Sequence, residues 1–341
     1  MKILLLQLKR IGDLILTTPA IRCLRDAFPH AQLALMADAS CASLVDSMAV
    51  HERWIYNKGS GLKGMLGFGS NAWLKHRLLP FRPDWTLDFT GSDRSAYLSA
   101  LSRAKRRVTF ERFRKKSLRR FIFTDFVRSS VVERHTADHY TDLLKPLGIE
   151  RENVPLDLHL TEEAFFSAGA LLASAGVGSS YAVIHAGTAR PEKYWSPKRW
   201  AEVIEFLHTE RGLISVLTGS HDPIEQQHLS EIRSHLQCHC VDLSGKTNLA
   251  SLAAIIKGAS LFCGVDTAAM HLADAVNTPS VALFGPTNPY HWRPRHTRAA
   301  ILRSDTQPPF TQQQAGGRMD AISVQVVLEK VRELLQAIGR P

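Results

Sequence analysis

Short apolar runs alternate with helical patterns along the first half of the chain. The predicted elements are, in order, a strand at 2–8, a loop at 9–13, a helix to about residue 26, strands at 32–36 and 85–88, and a helix at 133–147. Pro19 lies early in the first helix. Strands that alternate with helices are typical of a parallel sheet covered on both faces. The first half is therefore predicted to form one α/β layer structure.

The second half repeats this alternation after a polar segment, 148–158, that contains one proline. The predicted strands are 182–184, 213–217, 261–263 and 280–284, and the predicted helices are 197–208, 223–235, 268–276 and 324–338, with Ser196 as an N-cap. We expect two α/β domains, 1–153 and 154–341. The amphipathic helix at 324–338 is expected to pack back on the first domain.

Length and composition agree with two such domains. The chain has 341 residues, of which 45% are hydrophobic and 22% charged, as is usual for a globular protein. No apolar run approaches the roughly 20 residues that span a membrane, and the opening MKILLLQL continues into a strand instead of a signal peptide. Five scattered cysteines form no disulfide framework. We expect a cytoplasmic protein.

Charge is concentrated in one stretch. The net charge is +10, and residues 103–120 carry ten Lys or Arg and one acid, Glu111, which gives 10 − 1 = +9. Such a stretch attracts phosphorylated partners or anionic lipid, although a solvated helix face or loop is equally consistent with it. The stretch lacks the interleaved aromatic residues of nucleic-acid sites, so we expect no nucleic-acid partner.

The first candidate site is the segment Lys9, Arg10, Ile11, Gly12 and Asp13. It follows the first strand, where open α/β sheets bind ligands. Glycine allows a tight turn or a close ligand approach, and Asp13 is placed at a helix N-terminus as a candidate catalytic group. The alternative is that Asp13 is only a helix N-cap, a role that aspartate favours.

A second candidate follows the strand at 182–184. Backbone N–H groups near Gly187 and Thr188 are placed to hold phosphate oxygens, and Lys193 to neutralise charge on a departing diphosphate. The alternative makes Lys193 and Arg190 solvated loop cations and Trp195 a core residue.

The third candidate follows the strand at 261–263. The N–H groups of Thr267, Ala268 and Ala269 begin a helix whose dipole favours an anion. The Asp266 carboxylate is a candidate to accept hydrogen bonds from sugar hydroxyl groups. His271 lies one turn further and is either a ligand contact or a buried histidine. Cys238 and Cys240 have no second pair at ligand spacing, so no metal site is predicted.

Four blocks together resemble glycosyltransferase family 9, the ADP-heptose:lipopolysaccharide heptosyltransferases. They are KILLLQLKRIGDLILTTPAIRCLR, YAVIHAGTARPEKYWSPKRWAEVI, VLTGSHDPIE and the long block from LSGKTNLAS to NPYHWRP, which ends at residue 294. VVERHTADHY, LKPLG and HWRP are similar to the branch that adds the third core heptose. The resemblance covers most of the chain.

The resemblance implies an α/β GT-B fold, with two Rossmann-like domains whose parallel sheets face a central cleft. The acceptor is then expected on the first domain and the nucleotide sugar on the second. Asp13 matches the catalytic base of an inverting transfer, and Glu225 matches the acid that meets the nucleotide ribose. Asp266 and His271 match positions lining the sugar and diphosphate pocket. Lys193, Thr188 and the N-terminus at 267–269 are expected to stabilise the leaving ADP, so no metal and no cofactor are expected beyond ADP-heptose as donor substrate.

Two features differ from the family or add to it. Ala268 stands where relatives often have glycine, and the loop before Lys193 varies in length, which leaves the choice between Gly187 and Thr188 open. The expected acceptor is a lipopolysaccharide core at the inner leaflet, so the basic stretch, with Arg114, Lys115 and Lys116, is expected to bind it beside Lys9, Arg10 and Gly12 and to hold the enzyme peripherally at the membrane.

Two alternative functions remain at this point. One is a GT-B transferase that uses another nucleotide sugar or acceptor. The other is a non-catalytic protein that binds anionic glycolipid through the basic stretch.

Overall fold

The computed structural model describes residues 1–57, 73–114, 119–303, 308–314, 316–337 and 339. The chain divides into two compact domains, Met1–His159 and Leu160–Pro341. Each contains a six-stranded sheet in which the paired strands run parallel. The α/β fold class that the sequence predicts is confirmed, because helices follow the strands in both halves.

The first domain orders its strands β3-β2-β1-β4-β5-β6. These strands are β1 (Lys2–Gln7), β2 (Gln32–Asp38), β3 (Glu52–Tyr56), β4 (Trp85–Asp88), β5 (Arg106–Phe110) and β6 (Asp125–Val127). The described helices are α1 (Ile11–Ile15), α2 (Thr18–Ala27), α3 (Ala42–Val45), α4 (Trp73–Phe81), α5 (Asp93–Leu101), α6 (Arg119–Ile122) and α7 (Thr136–Asp142).

The second domain orders its strands β12-β11-β10-β7-β8-β9. These are β7 (Tyr181–His185), β8 (Ile214–Leu217), β9 (Cys240–Asp242), β10 (Leu261–Val265), β11 (Ser280–Phe284) and β12 (Ala299–Arg303). The described helices are α8 (Glu162–Ser174), α9 (Pro197–Arg211), α10 (Pro223–Ser234), α11 (Leu249–Gly258), α12 (Ala268–Ala275), α13 (Pro289–Trp292) and α14 (Val324–Ala337).

Strand order determines where each domain can bind a ligand. In the first domain β1 pairs with β2 on one side and β4 on the other, and in the second β7 pairs with β8 and β10. The direction in which successive strands are added to the sheet reverses between β1 and β4 in the first domain and between β7 and β10 in the second. In open α/β sheets such a switch point leaves a crevice at the carboxyl ends of the two strands, where ligands bind. The segments after β1, β4, β7 and β10 are thus the candidate sites.

Helix α1 corrects one prediction made from the sequence. We expected a loop at 9–13 followed by one helix, but α1 begins at Ile11 and a separate α2 begins at Thr18. The break precedes Pro19, which lies in the first turn of α2. Proline fits a first helical turn but disrupts a helix interior, so a continuous helix through residue 19 is disfavoured.

The C-terminal helix α14 packs within the second domain. Its apolar face is formed by Val324, Val327, Val331 and Leu335, each at most 7% exposed. These side chains belong to the same core cluster as Trp200 and Ile204 of α9 and Leu283 of β11. The core of the second domain therefore accounts for the amphipathic pattern that led us to expect packing on the first domain.

Candidate active site

Asp13 lies inside α1 and does not cap it. The N-cap position is occupied by Arg10, which makes no side-chain cap hydrogen bond, and Asp13 lies three residues further in the first turn. The interpretation of Asp13 as an N-cap is therefore wrong. Its backbone oxygen accepts a hydrogen bond from Thr17 Oγ1 at 2.8 Å, and Gln7 Nε2 in turn donates to that hydroxyl at 2.9 Å. The backbone that carries Asp13 is thus held from two sides.

The Asp13 carboxylate contacts two other polar side chains of the first domain. The Tyr140 hydroxyl, on α7, donates a hydrogen bond to Asp13 Oδ1. Lys9 Nζ lies 3.8 Å from the same oxygen and donates to the Tyr140 hydroxyl at 3.3 Å. The side chain of Asp13 keeps 18% of its surface exposed. The arrangement places a partly accessible carboxylate, fixed in direction, at the carboxyl end of β1.

Burial and charge determine the protonation of the groups around Asp13. The pKa of Tyr140 is raised well above its usual value, first by burial and then by the charge of Asp13. The pKa of the Lys9 ammonium is lowered by burial, an effect that Asp13 opposes and Arg112 reinforces. Tyr140 therefore keeps its proton at neutral pH and acts as a donor.

The sequence did not identify Tyr140 or Arg112 as site residues. Tyr140 is 127 positions from Asp13, and no local spacing connects the two. Arg112 lies in the basic stretch, with its guanidinium carbon 5.6 Å from the centroid of the Phe110 ring. The sequence signal for Tyr140 is its position at the end of the block VVERHTADHY, and that block by itself indicates no contact with Asp13.

A cleft of about 470 Å³ opens beside Lys9. Its lining comes from the last residue of β3 and from the segments that follow β1 and β4, and consists of Leu8, Lys9, Tyr56, Thr90, Ser92, Asp93 and Arg94. The side chain of Arg94 makes no hydrogen bond or ion pair with any residue in the described ranges. The cleft therefore combines two cations with hydroxyl groups, which suits an anionic, hydroxylated ligand.

Asp88, at the end of β4, organises one wall of this cleft. Its Oδ1 accepts the backbone N–H groups of Thr90 and Gly91, at 2.9 and 3.0 Å, and its Oδ2 accepts the Ser95 hydroxyl at 2.9 Å. Burial raises the pKa of Asp88 to about 6, against the effect of these hydrogen bonds. Asp88 thus has a structural role in shaping the segment that carries Ser92 and Arg94.

Lys193 and Asp266 form a buried ion pair in the second domain. Lys193 Nζ lies 2.6 Å from Asp266 Oδ2 and 3.0 Å from the backbone oxygen of Asp266. Lys193 is 8% exposed and Asp266 7%. The interpretation of Lys193 as a solvated cation is wrong, whereas Arg190 does lie at the surface, paired with Glu192. Trp195, 1% exposed, is a core residue.

The N-terminus of α12 leaves polar groups available to a ligand. Thr267 is the N-cap residue but makes no side-chain cap hydrogen bond. Its Oγ1 is buried and has no hydrogen-bond partner within the described part of the chain. Ala268 and Ala269 supply the first backbone N–H groups. His271, further along α12, is 4% exposed and lies 6.4 Å from the Trp292 ring, which agrees with the interpretation of a buried histidine.

Glu225 lies against the segment after β7. It is 4% exposed, accepts the Ser220 backbone N–H at 3.0 Å and accepts the Ser220 hydroxyl. A Cβ atom on Gly187 would lie 2.0 Å from Glu225 Oε1, so this position has no room for a side chain. Thr188 Oγ1 accepts the Arg190 N–H at 3.3 Å. Gly187 and Glu225 are thus adjacent.

The basic stretch is neither one helix face nor one loop. It contains β5, a 3₁₀ turn at Glu111–Phe113 and the start of α6. Arg106 pairs with Asp125, and the buried Arg119 pairs with Asp93, so part of the charge is used internally. Arg114 is exposed and lies 5.3 Å from the Phe126 ring. Lys115 and Lys116, which we also expected to bind the acceptor, lie outside the described residues.

The described residues contain neither a metal-binding cluster nor a membrane-spanning helix. No group of three or more His, Cys, Asp or Glu side chains is arranged to hold a metal ion in the part that the structure describes. In the same part, no helix has the length and apolar character needed to cross a bilayer.

Comparison with known proteins identifies the family. The profile of glycosyltransferase family 9 (heptosyltransferase) matches residues 72–320, well over half of the chain. The chain belongs to glycosyltransferase family 9. Family 9 relatives include lipopolysaccharide heptosyltransferase 3 of Escherichia coli, 29% identical over 288 residues, which covers 83% of each chain. Lipopolysaccharide heptosyltransferase 2 of Salmonella typhimurium is 26% identical and covers 99% of this chain and all of the relative.

Solved structures of family 9 share the fold. The family 9 glycosyl transferase of Veillonella parvula superposes with a TM-score of 0.85 at 24% identity, covering 98% of this chain and 97% of that one. The E. coli heptosyltransferase WaaC with ADP gives a TM-score of 0.73 at 20% identity, covering 98% and 100%. The two six-stranded parallel sheets are thus those of a GT-B glycosyltransferase, as the sequence predicts.

Proposed function

We propose that this protein transfers a heptosyl group from ADP-heptose to the core of lipopolysaccharide. Membership of the heptosyltransferase family over residues 72–320 is the observation that carries this proposal. Relatives named lipopolysaccharide heptosyltransferase 3 favour the third core heptose as the residue that is added. The first domain is proposed to bind the acceptor and the second domain to bind the nucleotide sugar.

Asp13 is proposed as the general base. Its carboxylate takes the proton of an acceptor hydroxyl while that oxygen forms a bond to the anomeric carbon of the donor. The bond from this carbon to the diphosphate breaks, and its electron pair leaves with ADP. Attack from the face opposite the diphosphate inverts the anomeric configuration. A base positioned in this way contributes roughly 10²- to 10⁴-fold to the rate.

The donor is proposed to bind at the switch point of the second domain. The backbone N–H groups of Thr267, Ala268 and Ala269 and the unpartnered Thr267 hydroxyl suit phosphate oxygens. Lys193, held by Asp266, supplies positive charge where the leaving diphosphate develops negative charge. Glu225, beside Gly187, is proposed to accept hydrogen bonds from the ribose hydroxyl groups. His271 is proposed to line the same pocket, and the protein's own cations and dipoles are proposed to act without a metal.

The acceptor is proposed to bind in the 470 Å³ cleft beside Lys9. Arg94 pairs with no acid in the described ranges, so a carboxylate or phosphate of the acceptor is its proposed partner. Ser92 and Thr90 suit its hydroxyl groups. Because Lys9 also contacts Asp13 and Tyr140, an acceptor held here lies next to the proposed base.

Peripheral membrane contact is proposed for the basic stretch. Arg114 and Arg120 are exposed, and Phe121 beside Arg120 is 69% exposed. An aromatic side chain flanked by cations suits an anionic bilayer surface. Replacing Arg114, Lys115 and Lys116 by glutamine should reduce sedimentation with vesicles rich in anionic lipid and raise the KM for the acceptor. Equal sedimentation and an unchanged KM would contradict this role.

Release of ADP from ADP-heptose tests the proposed reaction. The assay uses truncated lipopolysaccharide as acceptor, with the native protein and the variant Asp13→Ala. We expect acceptor-dependent release that falls by a factor of roughly 10² or more in the variant. Release from UDP- or GDP-sugars in its place would indicate a different donor. Glycolipid binding by both proteins without turnover would favour the non-catalytic alternative.

A further inference from the structure

We propose that Tyr140 is a positioning residue that fixes the direction of the Asp13 carboxylate and leaves one of its oxygens for the acceptor proton. This inference rests on the proposed function of Asp13 as the base. The Tyr140 hydroxyl donates to Asp13 Oδ1, while no group of the described chain donates to Asp13 Oδ2. The two oxygens of the carboxylate are thereby made different.

The ring of Tyr140 is itself held rigidly. Tyr140 is 1% exposed and meets the Phe89 ring edge-on, with centroids 5.8 Å apart and an interplanar angle of 89°. The Phe110 ring lies 6.5 Å away on another side. Edge-to-face contacts of this kind favour one ring orientation. The hydroxyl therefore reaches Asp13 from a fixed direction, independently of whether a ligand is bound.

The position of Lys9 determines the direction of the hydrogen bonds that join Lys9, Tyr140 and Asp13. An ammonium group only donates hydrogen bonds, so at 3.3 Å Lys9 Nζ donates to the Tyr140 oxygen. The Tyr140 proton is then directed at Asp13 Oδ1. Burial and the charge of Asp13 raise the pKa of Tyr140, which keeps that proton in place. The direction of donation is thus Lys9 to Tyr140 to Asp13.

This arrangement has a consequence for the transfer step. When the acceptor O–H bond breaks, the proton goes to Asp13 Oδ2, while the acceptor oxygen bonds to the anomeric carbon and the electron pair of the carbon–phosphate oxygen bond leaves with ADP. A hydrogen bond at Oδ1 stabilises the ionised carboxylate before this step. It also prevents rotation of the carboxylate, and a misplacement of about 1 Å lowers rates by roughly 100-fold.

The variant Tyr140→Phe removes the hydroxyl and keeps the ring contacts. We expect kcat to fall by roughly 10- to 100-fold with the KM for the donor unchanged, because only the base is affected. A purely structural role would lower Tm but leave kcat and the donor KM of the folded enzyme unchanged.

Tyr181→Phe is the matched control. Tyr181 is a buried tyrosine of the second domain whose hydroxyl donates to the Ile255 backbone oxygen at 2.7 Å. This variant loses a buried hydroxyl with one hydrogen bond, whereas Tyr140→Phe loses the contacts with both Asp13 and Lys9, and it leaves Asp13 untouched. We expect a fall in Tm and an unchanged kcat. Incorporation of fluorotyrosine at position 140, which retains a hydroxyl donor, should restore most of the activity of Tyr140→Phe.

The ¹³C NMR chemical shift of the Asp13 carboxyl carbon at neutral pH separates this proposal from the proposed function, because it needs no turnover. The signal is assigned with Asp13→Asn. A chemical shift in Tyr140→Phe that differs from that of the native protein supports the hydrogen bond, and identical chemical shifts overturn the proposal. A changed chemical shift with unchanged kcat also overturns the positioning role. Absence of turnover in the native protein contradicts the proposed function, and the NMR comparison still decides the contact.

Discussion

The Lys193 ammonium lies 2.6 Å from Asp266 Oδ2, and both side chains are less than a tenth exposed. The pair connects the segment after β7 with the segment after β10, the two strands at the switch point of the second domain. A cation kept at such a position by an internal carboxylate is placed before any ligand arrives. We therefore expect the proposed contact of Lys193 with the donor diphosphate to need no rearrangement of its side chain.

Breaking this pair should destabilise the second domain. In Lys193→Met the Asp266 carboxylate remains buried without its cation, and loss of one partner of a buried pair costs about 3–5 kcal/mol. Chemical denaturation of Lys193→Met, Asp266→Asn and the double variant measures the coupling between them. We expect the double variant to be clearly more stable than the sum of the two single changes implies. Strict additivity would show that the contact contributes nothing.

Gly187→Ala should weaken donor binding through Glu225. The added Cβ would lie 2.0 Å from Glu225 Oε1, so the Glu225 side chain must move away from its proposed ribose contact. We expect the Kd for ADP, measured by calorimetry, to rise by roughly tenfold or more, the effect of about 1.4 kcal/mol. Gly178→Ala is the control, since no atom lies within 4 Å of its added Cβ. Equal ADP affinity in both variants would contradict the proposed contact between Glu225 and the nucleotide.

Arg94→Gln should raise the KM for the acceptor and leave the KM for the donor unchanged. The guanidinium lines the cleft beside Lys9 and has no acid partner in the described ranges, so a carboxylate or phosphate of the acceptor is its proposed partner. Loss of one charge-assisted contact corresponds to about 1.5–3 kcal/mol, or roughly 10- to 150-fold in KM. Arg332→Gln, at a half-buried arginine of α14 that pairs with Glu210 in the second domain, is the control. A donor KM that rises equally would contradict the assignment.

His139 should make stability depend on pH. Burial first, and then the charges of Arg112, Lys9 and Arg134, lower the pKa of His139 to about 3. Between about pH 6.5 and pH 3 the unfolded chain therefore binds more protons at His139 than the folded chain does. The contribution of neutral His139 to the free energy of unfolding is thus fully present above pH 6.5 and is lost as the pH falls towards 3.

The variant His139→Gln removes this contribution and allows the effect to be measured. Between pH 7 and pH 5 the free energy of unfolding of the native protein should fall by about 2 kcal/mol more than that of His139→Gln, since one pKa unit corresponds to about 1.36 kcal/mol. Urea denaturation at the two pH values gives this difference. Asp88, whose pKa is raised to about 6, acts in the opposite direction, but it is present in both proteins. Parallel pH profiles for the two proteins would show that His139 is not held neutral.

The sequence by itself determined the alternation of elements and the strand ends that carry Asp13, Gly187, Lys193 and Asp266. The predicted bounds of the central strands β4 and β11 agree with the observed ones. The β11 sequence SVALF is apolar after Ser280, as is typical of parallel strands that are buried on both faces. By contrast, β5 and the four edge strands β3, β6, β9 and β12 were not predicted. β5 begins with Arg106 and Arg107 in a run of charge. β12 is a sheet edge, where one side needs no partner strand.

Only the tertiary structure decided which side chains meet at these strand ends. Local spacing sets the 3.6- and 2-residue periods of helices and strands, but it contains no information on contacts between distant segments. Tyr140 reaches Asp13 across 127 residues, and Lys193 reaches Asp266 across 73. Both contacts depend on the strand order, which brings β1 beside β4 and β7 beside β10, and on the packing of buried side chains around them. The sequence determined the candidate groups, and the fold determined their partners.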